Sequence, residues 1–179
     1  MVEVIRAKKS DEAVLDNLLQ LYLLEFSEFD GGQVSNDGRF EYPHLTQYWD
    51  EPDRHAFLFK VDGAPVGFAL IKKGSEIAGD NQSMDVAEFF VLQTLRRQGL
   101  GRAAFGEIVR MFPGTWIVRV VDGYEAALAF WRRAIQSVAA SGFDSEAIDD
   151  GQRKWIVFSF AYAVSDAGSR SPSHAQPSK

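Results

Sequence analysis

Gly99 and Gly101 stand one residue apart at the end of a cationic turn, with Arg96 and Arg97 before them and Arg102 after. The apolar run Phe89-Phe90-Val91-Leu92, entered through Glu88, is β-favouring and too short for a globular helix. Past the turn, Leu100, Ala104, Ile108 and Met111 recur on one face of a helical pattern. Strand, glycine-bearing loop and helix N-terminus, in that order, build an anion site. Glycine permits positive φ and close backbone approach, and first-turn N–H groups, lacking intrahelical acceptors, point at a ligand. The physical reading is a diphosphate cradle edged by arginine charge.

Three loop types use such a cradle. A P-loop needs Lys followed by Ser or Thr after its second glycine, but Arg102 and Ala103 follow Gly101. A dinucleotide fingerprint is a closer rival, since Gly99, Gly101 and Ala104 fit G-x-G-x-x-A and Asp122 ends the next strand. Its strand, however, runs almost directly into the first glycine, whereas the polar segment from Gln93 to Gln98 intervenes here. The third is the best fit: Arg96-x-x-Gly99-x-Gly101 resembles the Arg/Gln-x-x-Gly-x-Gly/Ala loop of the GNAT superfamily of acyl-CoA-dependent N-acetyltransferases. Glu88-Phe89-Phe90-Val91-Leu92 looks like that family's fourth strand, and Tyr124-x-x-Ala127-x-x-Phe130-Trp131 like its Asn-x-x-Ala-x-x-Phe-Tyr.

The elements that must position these residues follow from periodicity. Residues 2–7 alternate as a strand; Ser10 is the expected N-cap of a helix carrying Val14, Leu15, Leu18, Leu19, Tyr22, Leu23 and Phe26 on one stripe. Residues 29–53 lack sustained periodicity apart from a short helix expected over 42–49, and such a segment in a compact domain is usually functional. Residues 55–61 and 65–73 are strands joined by the hairpin signal Asp62-Gly63-Ala64. A polar connection over 74–83 leads to the strand at 84–92, then the cradle helix, stopped by Pro113-Gly114. Strand 115–122, helix 124–138, and strands 143–148 and 153–163 complete the order. One crossover helix between two antiparallel sections disfavours a Rossmann domain, which repeats βαβ units. It matches the GNAT order, which implies a mixed α/β fold. The resemblance implies a mostly antiparallel central sheet of about seven strands, flanked by helices and splayed between strands four and five. One domain over residues 1–163 and a disordered tail over 164–179 are expected, the tail from its Ser, Pro, Gly and Ala content.

Composition bounds the rest. With 179 residues, 46% apolar and 25% charged, the chain reads as an ordinary globular domain. No apolar run approaches the ~20 residues of a membrane span, and the N-terminus lacks a signal-peptide pattern. There is no cysteine, which excludes disulfides, thiolate metal sites and cysteine nucleophiles. The three histidines show no metal-ligand spacing. A net charge of −6 argues against nucleic acid. A cytoplasmic location is expected, where acyl-CoA is at hand.

The resemblance implies transfer of an acetyl group from acetyl-CoA to a primary amine of a small molecule or peptide, by direct attack in a ternary complex. The N–H groups of Arg97, Gln98, Gly99, Leu100, Gly101 and Arg102 would hold the pyrophosphate. Arginine side chains there, Arg96 included, would contact the 3′-phosphate or raise the local potential. Pantetheine would pair with the backbone of Phe90, Val91 and Leu92 where the sheet splays, one N–H polarising the thioester. A lysine-like amine, pKa ~10.4, is neutral in on the order of one molecule per thousand at pH 7. It needs a base, and Glu88 is the candidate, its pKa lifted by partial burial. Asp37, Glu41, Asp50, Glu51 and Asp53 would make the acceptor wall acidic. Trp131 replaces the family's tyrosine acid, and indole cannot serve as one. That departure keeps a second reading in play, a non-catalytic acyl-CoA-binding or regulatory module. A homodimer through an edge strand such as 153–163 is a further expectation.

Overall fold

The computed structural model describes residues 1–163; the expected tail, 164–179, lies outside the described residues. Chain order is β1 (Glu3–Arg6), α1 (Glu12–Asp30), α2 (Gln47–Asp50), β2 (Arg54–Val61), β3 (Ala64–Ser75), β4 (Asp80–Val91), α3 (Leu100–Met111), β5 (Gly114–Val121), α4 (Glu125–Gln136), β6 (Phe143–Asp149) and β7 (Lys154–Tyr162). The strands form one seven-stranded sheet in the order β1-β2-β3-β4-β5-β7-β6. Every neighbouring pair is antiparallel except β4 and β5, which are parallel.

Alternation along the strands sends side chains to two separate cores. Phe57, Phe59, Val86, Trp116 and Phe158 face α3 and α4, packing on Phe105, Ile108 and Trp131. Leu58, Phe68, Leu70 and Phe90 face α1, packing on Leu15, Leu18 and Leu19. Those three leucines recur at i, i+3 and i+4, the spacing that makes one helix a lid over one sheet face. Leu15 and Leu19 are wholly buried, so truncating either to Ala costs about 2–5 kcal/mol. At the far end α1 closes on Gly31, left-handed at φ 70°, whose N–H donates to the Ser27 carbonyl.

β4 and β5 pair only at Met84↔Trp116, Asp85↔Ile117 and Val86↔Val118. Beyond that β4 runs on to Val91 and β5 to Val121 without pairing, so the two strands part in a V. The parting begins where β4 carries an extra residue. Leu70 opposes Glu88 and Ile71 opposes Val86, leaving Ala87 as a bulge.

Local expectations changed in four places. The polar stretch 74–83 is mostly strand: β3 reaches Ser75, β4 starts at Asp80, and Ser75↔Asp80 closes the hairpin. There Ser75 and Ser83 are buried, so small polar side chains fill the positions that apolar alternation would. Ser10 lies in a 3₁₀ turn, and Asp11 caps α1 instead, its carboxylate accepting the Lys8 N–H at 2.9 Å. The short helix begins at Gln47 rather than at residue 42. The last strand is no edge: β7 pairs with β5 on one side and β6 on the other, leaving β1 and β6 at the margins. Among the described residues no helix is long and apolar enough to cross a membrane.

Candidate active site

The loop after β4 makes a short 3₁₀ turn, Gln93–Leu95, and then two left-handed steps, Arg97 at φ 62° and Gly99 at φ 80°. Gly99 is the N-cap of α3, and the first intrahelical bond runs from Ala103 N–H to the Gly99 carbonyl. None of the N–H groups from residues 97–102 donates to a backbone carbonyl among the described residues. They form a concave run of donors at the positive end of the helix dipole. A Cβ on Gly99 would meet nothing within 4 Å, so that side of the turn is open. Gly101 is different. A Cβ there would lie 3.1 Å from the Phe130 ring and 3.5 Å from Phe89, so this glycine lets α3 and α4 approach.

The arginines divide in the same way. Arg97, Gln98 and Arg102 are exposed, and neither arginine forms an ion pair among the described residues. Arg96 is committed elsewhere. Its Nε–H donates to the Val91 carbonyl at 2.8 Å, its Nη2 meets Glu25 Oε2 at 2.6 Å, and the guanidinium lies 5.6 Å from the Phe90 ring centre. It fastens the loop to α1.

The backbone of β4 faces the gap on alternate residues. Leu92 N–H donates to the Val66 carbonyl at 2.9 Å. Phe90, two residues earlier, therefore also spends its backbone on β3. Phe89 and Val91 turn theirs toward the gap. There the Val91 carbonyl already accepts from Arg96, and the Val91 N–H has no strand partner among the described residues. Of Phe90, Val91 and Leu92, only Val91 presents backbone to the parting, and Phe89 joins it.

Glu88 stands at the bottom of the V on the α1 face, partly buried. The Tyr42 hydroxyl donates to its Oε1 at 3.2 Å. Burial raises the Glu88 pKa, hydrogen bonding from Tyr22, the Arg119 charge and the Tyr42 hydrogen bond pull it down, and Asp85 pushes it up; the net direction is upward. Beside it Asp85, fully buried, pairs through Oδ2 with Arg119 Nη1 at 3.1 Å, while Asp85 Oδ1 has no partner among the described residues. Burial also raises the hydroxyls of Tyr22 and Tyr42, and pushes Tyr48 up to about 12. Tyr48 is nearly enclosed and its hydroxyl has no partner among the described residues.

None of these neighbours stood out in the sequence. Tyr22 reads as helix stripe, Tyr42 and Tyr48 as loop aromatics, and Arg119 as one charge in an apolar strand. Asp85 had a usable signal, since a carboxylate between Met84 and Val86 poses the same burial problem as Glu88. Of the expected acidic wall, Asp37 and Glu41 line a cavity of about 560 Å³ beside Tyr42, together with Asp16, Gln20 and Arg39. Asp50, Glu51 and Asp53 do not line it. Trp131 is core, with ring centres of Phe89, Phe105 and Phe130 at 5.1, 5.0 and 5.0 Å. Tyr124 stacks on Phe29 of α1 at 4.1 Å, tying the start of α4 to the end of α1.

The sequence matches the model of the acetyltransferase (GNAT) family over residues 15–135. No curated protein matches it. Among solved structures, an acetyltransferase from Thermus thermophilus aligns with TM-score 0.64 at 17% identity, covering 90% of this chain and 97% of that one. A GNAT family acetyltransferase from Elizabethkingia anophelis, with acetyl-CoA bound, aligns with TM-score 0.58 at 12% identity over 89% and 97%. The ribosomal-protein-S18-alanine N-acetyltransferase of Escherichia coli aligns with TM-score 0.58 at 15% identity over 95% and 98%. At these identities the likeness is one of fold.

Proposed function

The chain belongs to the GNAT acetyltransferase family, and from that premise we propose that it transfers an acetyl group from acetyl-CoA to a primary amine of a small molecule or peptide. The observation that carries the reading is the run of unengaged N–H groups from Arg97 to Arg102, opening beside the V whose base holds Glu88. The donor fits these residues. Gly99 leaves room at the turn, the helix dipole and Arg97 and Arg102 supply positive potential, and Phe89 and Val91 offer backbone along the gap. Acetyl-CoA supplies an activated acyl carbon and a thiolate leaving group whose conjugate acid has pKa ~8.5, which departs without strong assistance.

The protein supplies position and proton transfer. The amine attacks the thioester carbonyl directly in a ternary complex, the Val91 N–H polarises that carbonyl on this reading, and Glu88 takes the ammonium proton. A carboxylate lifted above its ordinary range by burial is a better match for that task than an exposed one. The cavity edged by Asp37 and Glu41 suits a cationic acceptor. Residues 1–163 act as one domain on this reading, in the cytoplasm, and any pairing of two copies through strands would use β1 or β6.

A thermal-shift titration with acetyl-CoA, CoA and NAD, on wild type and Gly99→Trp, tests the cradle. Saturable stabilisation by both CoA ligands, absent in the variant, supports it; stabilisation by NAD alone overturns it. A thiol-release screen of amines then tests catalysis. The second reading, an acyl-CoA-binding or regulatory module, is favoured by one observation, the burial of Trp131 where relatives place a tyrosine acid. CoA binding without release by any amine would select it.

A further inference from the structure

Among the described residues, Arg119 pairs with no surface carboxylate; its partner is the fully buried Asp85. On β5, Val118 and Val120 belong to the core under α3 and α4, so alternation turns Arg119 to the α1 side. β4 and β5 are parallel and pair in step through Val86↔Val118. The next position in that register sets Arg119 level with Ala87, the bulged residue.

The bulge determines what Arg119 meets. In a regular strand, residues three apart point to opposite faces. Here Ile71↔Val86 lies on the α3 side and Leu70↔Glu88 on the α1 side, with Ala87 unpaired between them. Asp85 and Glu88 therefore share the α1 face, one just below the level of Arg119 and the other just above. One guanidinium stands on the face that carries both carboxylates, and its hydrogen bond goes to Asp85. Lys72, the cross-strand partner of Asp85, sends its Nζ toward Glu76 at 3.6 Å.

We propose that Arg119 is a positioning residue shared between two carboxylates, and that Asp85 holds it back from Glu88 so that Glu88 stays basic enough to accept a proton from an ammonium group. The inference rests on the reading of Glu88 as base and adds what sets its strength. The other groups facing Glu88 are Tyr22 from α1, Tyr42 from the segment before α2, and Tyr48 from α2, where the Arg54 guanidinium lies 5.4 Å from the Tyr48 ring centre. All three tyrosines stay neutral in the working range, since burial raises each. Asp85 and Arg119 are therefore the charged pair that acts on Glu88, on top of its burial and the tyrosine hydrogen bonds.

A carboxyl NMR titration of glutamate-labelled protein tests this without an acceptor, the Glu88 signal being assigned by its loss in Glu88→Gln. Asp85→Asn frees Arg119 for Glu88 and should lower its midpoint; Arg119→Gln should raise it, each by on the order of one pH unit. Arg119→Lys should return the midpoint toward wild type. The acid limb of kcat/KM should follow the same shifts with any amine that turns over. An unchanged Glu88 midpoint in folded Arg119→Gln overturns the proposal, and that variant decides alone if Asp85→Asn does not fold, because Asp85 can take up a proton when unpaired. Failure of the base itself reads out differently: Glu88→Gln would retain full acetyl transfer whatever the titrations show.

Discussion

The two ends of the candidate site are built from different material. The cradle at the start of α3 is backbone, contiguous in sequence, and made by two left-handed residues that turn successive N–H groups to one point. The base of the V is side chain, drawn from α1, the segment before α2, α2, β4 and β5, and made by burial. A backbone site is sensitive to φ and to obstruction but tolerant of side-chain chemistry. A side-chain site fails with the loss of its proton acceptor and is retuned by the loss of a partner. Donor binding and proton transfer should accordingly fail independently.

The largest effect expected is at Glu88. Glu88→Gln keeps the shape, removes the proton acceptor, and should lower kcat by about 10²–10⁴-fold. It should leave stabilisation by acetyl-CoA intact. A parallel loss of both would show that the two regions act as one.

Next come the two glycines. Gly99→Trp fills the open side of the turn at a left-handed φ and should abolish the acetyl-CoA thermal shift, with loss of Tm limited to the strain of one such residue, about 1–2 kcal/mol. Gly101→Val drives a side chain into Phe130 and should cost about 1–3 kcal/mol through displaced packing of α3 on α4. Glycines one residue apart would then show opposite signatures, ligand loss against stability loss.

How much of this was legible follows from the same contrast. The order of elements and the glycine turn are local patterns, the parting of strands four and five came only with the family resemblance, and Arg96, Gly99 and Gly101 fall in one short window. What that window does not contain is direction. Arg96 looks like a phosphate ligand until Glu25, far back in the chain, is seen at 2.6 Å. Leu92 looks like a pantetheine partner until its N–H is found on Val66. The tyrosines around Glu88 are invisible because Tyr22 satisfies a helix stripe equally well, and only the fold brings it beside a residue of β4. The bulge at Ala87 had no glycine or proline to announce it, yet it puts Asp85 and Glu88 on one face.

A smaller effect separates the arginines. Arg102→Ala, beside the open donors, should weaken acetyl-CoA binding severalfold, with the loss growing at low salt. Arg96→Ala should act mainly on stability, by up to about 1 kcal/mol for a half-exposed pair, and on affinity only through the loosened loop. Isothermal titration against melting curves resolves the two. Equal affinity losses would return Arg96 to the anion site.

The smallest effect, and the most specific to the side-chain region, is at Tyr42. Its hydroxyl donates to Glu88 and so favours the charged carboxylate against a burial that favours the neutral acid. Tyr42→Phe removes the donor and leaves the burial, so the Glu88 pKa rises further. The deprotonated form is the active one, so the acid limb of kcat/KM should move to higher pH, by about half a unit for a bond as long as 3.2 Å. Below the limb the variant should be a few-fold slower, and above it nearly unchanged. Stability carries the same sign. A carboxyl whose folded pKa is raised loses stability as pH rises from its unfolded value through its folded one. Tyr42→Phe, with a higher folded value, should therefore lose more than wild type on the alkaline side of that window. Melting temperatures taken across it, with Glu88→Gln as the flat reference, provide the check. A limb that moves to lower pH would mean that Tyr42 accepts from a protonated Glu88, and that the carboxyl rests in its neutral form.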